Sequence, residues 1–304
     1  MARIKEWLSD HPAADAASPA QPAIAAEPVT DAREGGRRVI ETNIGGKPYR
    51  IASDDDYLDH VKGEFEPHMV KLFRGLIDPH HTIFDIGANI GCTSILFSDM
   101  GKRVFSFEPS PSTYAFLALN IDTAQCGNVT ATNVGLGKEA GNFELTFAKS
   151  NRSGAFVSNV TSASQGHQIE RIEIAKGDSF VTEHHIEKVD FLKIDVEGFE
   201  RNVIEGLQET IRRDRPVVVL ELNHWCLNVF QRTSVPDFLD FLRGIFPYLF
   251  AVDGDDARNL HDPDHAYHVM YHHIVGGLKY ANLVGAFDRR QLERFASAYH
   301  LDIA

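Results

Sequence analysis

The chain has 304 residues, a mass of 33.9 kDa, and 30 Lys and Arg against 43 Asp and Glu, a formal net charge of −13. A field of that sign repels nucleic-acid backbones and anionic lipid surfaces, so neither is expected as a partner. With 43% hydrophobic and 24% charged residues, a wholly disordered, collagenous or membrane-embedded chain is excluded. No stretch approaches 18 apolar residues, so no membrane insertion is expected. Cys92, Cys126 and Cys226 are too few and too scattered for a disulfide framework or a Cys-based zinc site. With no apolar leader at the N-terminus, they fit a reducing, cytoplasmic setting.

Residues 1–36 mix Ala and Pro with few large apolar side chains and read as a disordered tail. Residues 37–81 read as a hairpin and a helix packing on a catalytic domain that fills 82–304. The hairpin is VIETNIGGKPYRIA, turning at Gly45-Gly46. The run Asp54-Asp55-Asp56 suits the start of a helix over 57–76. Strand and helix then alternate: strand 82–86, helix 92–100, strand 103–107, helix 112–121, strand 129–134. NFELTF and QIERIEI read as strands joined by a Ser/Asn/Gly-rich stretch over 149–167, an insertion or a mobile loop over a site. The alternation resumes with strand 189–195, an amphipathic helix over 199–213, and PVVVLEL, the most apolar strand. A helix near 234–245, strands near 248–252 and 267–275, and a last helix near 288–300 complete the reading. This pattern predicts an α/β fold with a mostly parallel sheet covered by helices on both faces.

The informative loop is Asp85-Ile86-Gly87-Ala88-Asn89-Ile90-Gly91, between the strand at 82–86 and a helix. Such a crossover opens at the carboxyl edge of a doubly wound sheet, where ligands bind. Gly87 permits a sharp turn and close approach of a ligand, and Gly91 permits close packing at the helix start. Asn89 takes the place of the middle glycine that a diphosphate needs, which weighs against a nicotinamide-dependent oxidoreductase. Glu108 ends the next strand, 21 residues beyond Gly87, where a carboxylate can accept hydrogen bonds from both ribose hydroxyls. A nucleoside without a diphosphate fits this loop, and S-adenosyl-L-methionine is the common one. Its cationic sulfonium suits acidic lining such as Asp85.

DIGANIG, FEPSP, LKIDVEGFE and VVVLELNHW, in that order, resemble the FkbM-type family of S-adenosylmethionine-dependent methyltransferases, over about residues 65–225. The resemblance implies a class I Rossmann-like fold with a seven-stranded sheet, here with N- and C-terminal additions. It implies methyl transfer, mostly to oxygen, on hydroxyls of sugars, glycans or secondary metabolites, with S-adenosyl-L-homocysteine as product. It implies that Asp85, Gly87, Asn89 and Gly91 line the methionine and ribose portion and that Glu108 holds the ribose. By the same resemblance, the Asn133-Val134-Gly135-Leu136 turn lies beside the adenine. Cys92-Thr93, where family members often carry aromatic or small residues, and the region after Asn223 depart from the pattern.

An alcohol acceptor must lose a proton, which needs a base or a metal-lowered pKa. Asp195 and Glu197 are two apart and in an extended chain point to one side, with Lys193 one step back. Glu221 and Asn223 form a second such pair, followed by His224. Both strands end at one sheet edge, so Asp195, Glu197, Glu221 and His224 are the catalytic candidates. These side chains could ligate Mg²⁺ or Mn²⁺, but nothing in their types requires it and no metal is assigned. The other histidines, including His80-His81, His184-His185 and the His265, His268, His272 series, read as solvated or satisfied, and the aromatics of 238–250 as core. A non-catalytic nucleoside-binding protein on the same fold is the remaining alternative. The acceptor and the oligomeric state have no signature here.

Overall fold

The computed structural model describes residues 31–34, 37–148, 151–157 and 167–303. The tail expected over 1–36 lies outside these up to residue 30, and its last part, Asp31–Glu34, forms strand β1. β1, β2 (Arg37–Ile44) and β3 (Lys47–Ser53) pair antiparallel. The β2–β3 turn is at Gly45 and Gly46, with φ of 62° and 95° that only glycine adopts cheaply. The single helix expected over 57–76 is two, α1 (Tyr57–His60) and α2 (Pro67–Leu76). Between them β4 (Gly63–Glu64) pairs with β2. Pro67 supplies the reason: it has no N–H to give and disfavours a helical residue before it. In the acidic run, Asp55 accepts from Ser53 Oγ at 2.7 Å and from the Tyr57 N–H at 3.3 Å.

The alternating segment follows as β5 (Thr82–Ile86), α3 (Cys92–Met100), β6 (Arg103–Phe107), α4 (Pro111–Thr123) and β7 (Val129–Thr132). A second sheet then interrupts it: β8 (Gly135–Gly137), β9 (Gly141–Ala148), β10 (Asn151–Val157) and β11 (His167–Lys176), in the order β10-β9-β11-β8. The Ser/Asn/Gly-rich stretch expected to be an insertion or a mobile loop therefore carries a strand over Asn151–Val157, and its residues 149–150 and 158–166 lie outside the described ones. After α5 (Gly177–Glu183) come β12 (Phe191–Ile194), α6 (Glu200–Gly206), α7 (Gln208–Asp214), β13 (Val217–Glu221), α8 (His224–Gln231) and α9 (Val235–Arg243). The chain ends with β14 (Tyr248–Asp253), β15 (Asp256–Asn259), α10 (Pro263–Ile274), β16 (Asn282–Ala286) and α11 (Glu293–Ala298).

The main sheet runs β15-β14-β16-β13-β12-β5-β6-β7. From β13 to β7 every pair is parallel, and β16 runs antiparallel to both of its neighbours. This is the Rossmann-like α/β arrangement expected, with β15 added at the edge, so the described sheet has eight strands rather than seven. Alternate side chains of each strand feed two cores. Ile83, Phe191, Val217 and Val219 pack beneath α2, α3, α4 and α11. Phe84, Leu192, Val218 and Leu220 pack on the other face with Phe180, Ile204 and Phe238. Burial on both faces is why these strands are apolar throughout rather than alternating.

One expected strand, 267–275, is a helix. Asp262 accepts from the N–H groups of Asp264 and His265, and Pro263 starts the first turn, which together nucleate α10. Ala266, Val269 and His273 face the core, at helical and not alternating spacing. The strand that enters the sheet there is β16, whose NLVGA is buried from Leu283 onward. No helix among the described residues is long and apolar enough to cross a membrane.

Candidate active site

A cavity of about 400 Å³ opens at the carboxyl edge of β5, β6, β12 and β13. Its floor is the loop after β5. Gly87 has φ 81°, and a Cβ there would lie 1.8 Å from the Asp195 carbonyl oxygen. Gly87 thus meets a packing demand of the protein itself besides leaving space for a ligand: the loop nests against the end of β12. Gly87→Ala is expected to cost about 3 kcal/mol or more in urea unfolding, because backbone must move in two strands' ends. Gly46→Ala, where a Cβ meets nothing within 4 Å, is the control for the cost of positive φ alone. Gly91, at φ 97°, packs against Leu117, as its place at the helix start predicted.

Asn89 is held at φ 48° by Glu108, whose Oε2 accepts the Asn89 N–H at 3.0 Å while Oε1 accepts the Ser110 N–H at 3.0 Å. Glu108 is buried, and burial pushes its carboxyl up to about 7 against those two hydrogen bonds. A carboxylate has about four acceptor directions, so two remain for a ligand. The side chain of Asn120 ties this loop to the N-terminal sheet: its amide donates to the carbonyls of Ile90 and Ala52, and its oxygen accepts the Ala52 N–H.

The cation at the centre is Lys193, on β12. Its Nζ donates to the Gly87 carbonyl at 2.8 Å and lies 3.4 Å from Asp85 and 3.3 Å from Asp195. Burial works against its charge, but Asp195 and Asp85 outweigh it and raise its pKa above the usual lysine range. Asp85 itself is fully buried beneath the floor, accepting from Ser94 Oγ at 2.6 Å, and does not line the cavity. The sequence marked Lys193 only as a neighbour of Asp195; its role emerges from β12 lying beside β5.

Asp195, Glu197 and Glu221 do line the cavity together, but not as an extended pair. β12 ends at Ile194, and Glu197 (φ 50°) and Gly198 (φ 97°) form a tight turn wedged against Cys226. Glu200, behind that turn, accepts the N–H groups of Val196 and Gly198. Glu197 Oε2 accepts from Cys226 Sγ at 3.1 Å and Asn223 Nδ2 at 3.4 Å. Burial and then Asp195 push Glu197 up to about 7. Glu221 is raised further by burial, Asp195 and Glu197, and its Oε2 is buried without a hydrogen-bond partner among the described residues.

His224 is not brought to the cavity. Asn223 caps α8 and turns the chain away, so the His224 ring stands edge-on to His273 at 5.2 Å and the His224 backbone N–H donates to His273 Nε2. Gly135 lines the wall with Leu136, whereas Asn133 donates to the carbonyls of Glu108 and Pro109 outside it. Asn133 thus braces the Glu108 turn, and β8 begins where the sequence suggested a turn. Among the described residues, the side chains placed to share one metal ion are Asp78, His80 and His81, away from this edge. There His81 Nδ1 already accepts the Asp78 N–H.

Residues 85–246, more than half of the chain, match the model of the methyltransferase FkbM domain. The chain belongs to that family. Hexuronic acid methyltransferase AglP of Haloferax volcanii is 28% identical over 154 residues, 51% of this chain and 61% of that protein. Methyltransferase 1 of Beauveria bassiana is 28% identical over 145 residues, 42% of this chain and 58% of that protein. The chain thus spans about three-fifths of the length of these curated relatives. A crystal structure of methyltransferase FkbM from Methylobacillus flagellatus KT superposes with a TM-score of 0.43 at 13% identity, covering 73% of this chain and 55% of that one. Within this FkbM-family chain, Tyr57, Phe65, Glu66, Met69 and Phe73 reach the cavity from outside the matched residues. No motif in the sequence marked them, because the N-terminal addition approaches the site only through tertiary packing.

Proposed function

We propose that this chain transfers a methyl group from S-adenosyl-L-methionine to a hydroxyl of a sugar, glycan or secondary metabolite. The observation that carries the reading is Glu108, a buried carboxylate at the end of β6 with free acceptor directions into the cavity beside Asn89. The residues fit the group. The volume is in the range of small-molecule sites. Among the described residues, five carboxylates and one ammonium line the cavity, which suits a cationic ligand, and Leu136, Leu145, Ile172 and Ile174 offer an apolar wall for a flat base. The sulfonium supplies an electrophilic methyl and a good leaving group. A sugar acceptor draws support from the relative named a hexuronic acid methyltransferase.

In this reading Glu108 would hold the ribose, Lys193 keeps the loop at Gly87 in place, and Glu197 with Glu221 takes the acceptor's proton. Saturating S-adenosylhomocysteine is expected to raise the melting temperature, and an unmoved transition at millimolar ligand counts against the reading. A base works only when deprotonated. With Glu197 at about 7, the rate of methyl transfer should climb as pH rises through about 7 and then level off. That limb belongs to the Glu197–Glu221 pair, since the Glu197 charge raises Glu221. Glu197→Gln should lower kcat about 100-fold and remove or shift the limb; an unchanged profile would assign the proton elsewhere.

A further inference from the structure

Glu66 is the charged member of the wall that the N-terminal addition contributes to the cavity. It stands at the start of α2 but gives the helix no side-chain cap, and among the described residues its carboxyl has no hydrogen bond or ion pair. Its backbone is left-handed, at φ 33° and ψ 67°, immediately before Pro67, a conformation that an L-residue adopts only when its surroundings impose it. Although the residue as a whole is exposed, its carboxyl stands in the cleft, where desolvation and then Asp195 push it above the usual range. In the same cavity, Glu221 Oε2 is buried with no hydrogen-bond partner among the described residues. The cation that lines the cavity, Lys193, is already shared among Asp85, Asp195 and the Gly87 carbonyl. Carboxylates converging on one cleft without enough positive charge call for a cation from the ligand.

The start of α3 lies beside Glu66, close enough for the Glu66 charge to raise the Cys92 thiol, after burial, above its usual range. Gly91 caps this helix without a side chain and so offers its first-turn N–H groups no side-chain acceptor of its own. A carboxylate and the positive end of a helix side by side match a ligand carrying an ammonium and a carboxylate on one carbon. We propose that Glu66 is the counter-charge for the α-ammonium of the amino-acid portion of S-adenosylmethionine. This inference rests on the function proposed above and adds a specificity residue from outside the matched family domain.

The test is isothermal titration of the full chain with S-adenosylhomocysteine and with 5′-methylthioadenosine, which lacks the amino-acid portion. Glu66→Gln should weaken S-adenosylhomocysteine about tenfold or more and leave methylthioadenosine within about twofold. Glu66→Gly relieves the left-handed backbone and so folds at least as well, and it should show the same selective loss. Equal affinity of wild type and both variants for S-adenosylhomocysteine overturns the assignment while leaving the function intact. An equal loss for the two ligands also overturns it, since that marks a change of cavity shape. If the wild type binds neither ligand, the proposed function falls and this inference with it.

Discussion

Glu108→Ala is expected to abolish the rise in melting temperature that S-adenosylhomocysteine gives the wild-type protein. Two losses combine. The ribose would lose a charge-assisted acceptor, each such hydrogen bond contributing about 1.5–3 kcal/mol. The N–H groups of Asn89 and Ser110 also lose their acceptor, so the loop that should meet the ligand is no longer held. Together these predict an affinity loss of about 100-fold or more. Glu108→Gln separates the two. Its amide oxygen can keep one backbone contact, so the fold should hold while affinity falls about tenfold. If the alanine variant still binds S-adenosylhomocysteine at wild-type affinity, the ribose is not held here.

The second large effect is on stability. Lys193→Met should destabilise the protein by about 3–5 kcal/mol in urea unfolding, because it leaves Asp85 buried without its cation and the Gly87 carbonyl without its donor. Asp85 still accepts from Ser94 Oγ, to which Ser106 donates in turn, but these neutral hydroxyls do not replace the lost charge. The Asp85→Asn, Lys193→Met double variant should recover part of the loss, giving a coupling of about 1 kcal/mol or more in a double-mutant cycle. Strict additivity of the two single effects would show that the ion pair contributes nothing beyond its separate parts.

Where a strand is buried on both faces and followed directly by a helix, its side chains are determined by neighbours close in sequence. The β5–α3–β6 unit, the loop from Asp85 to Gly91 and the offset to Glu108 were therefore legible. The same reasoning misread 267–275, because Tyr267, Val269 and Tyr271 alternate by coincidence while Asp262 and Pro263 commit the segment to a helix. It also placed Asp195 and Glu197 on one side of an extended strand, whereas the chain has already turned at Glu197 and Gly198 to fit against Cys226.

By itself the sequence determined the alternating α/β architecture, the glycine loop and the acidic character of its surroundings, since each depends on residue types at short spacing. Only the tertiary structure decided which acids share the cavity, that His224 turns away toward His273, that Lys193 bridges two strands, and that Glu66 closes the wall. Those outcomes depend on strands and helices far apart in the chain meeting at one sheet edge, and the packing that brings them together leaves no periodic mark on the residues concerned.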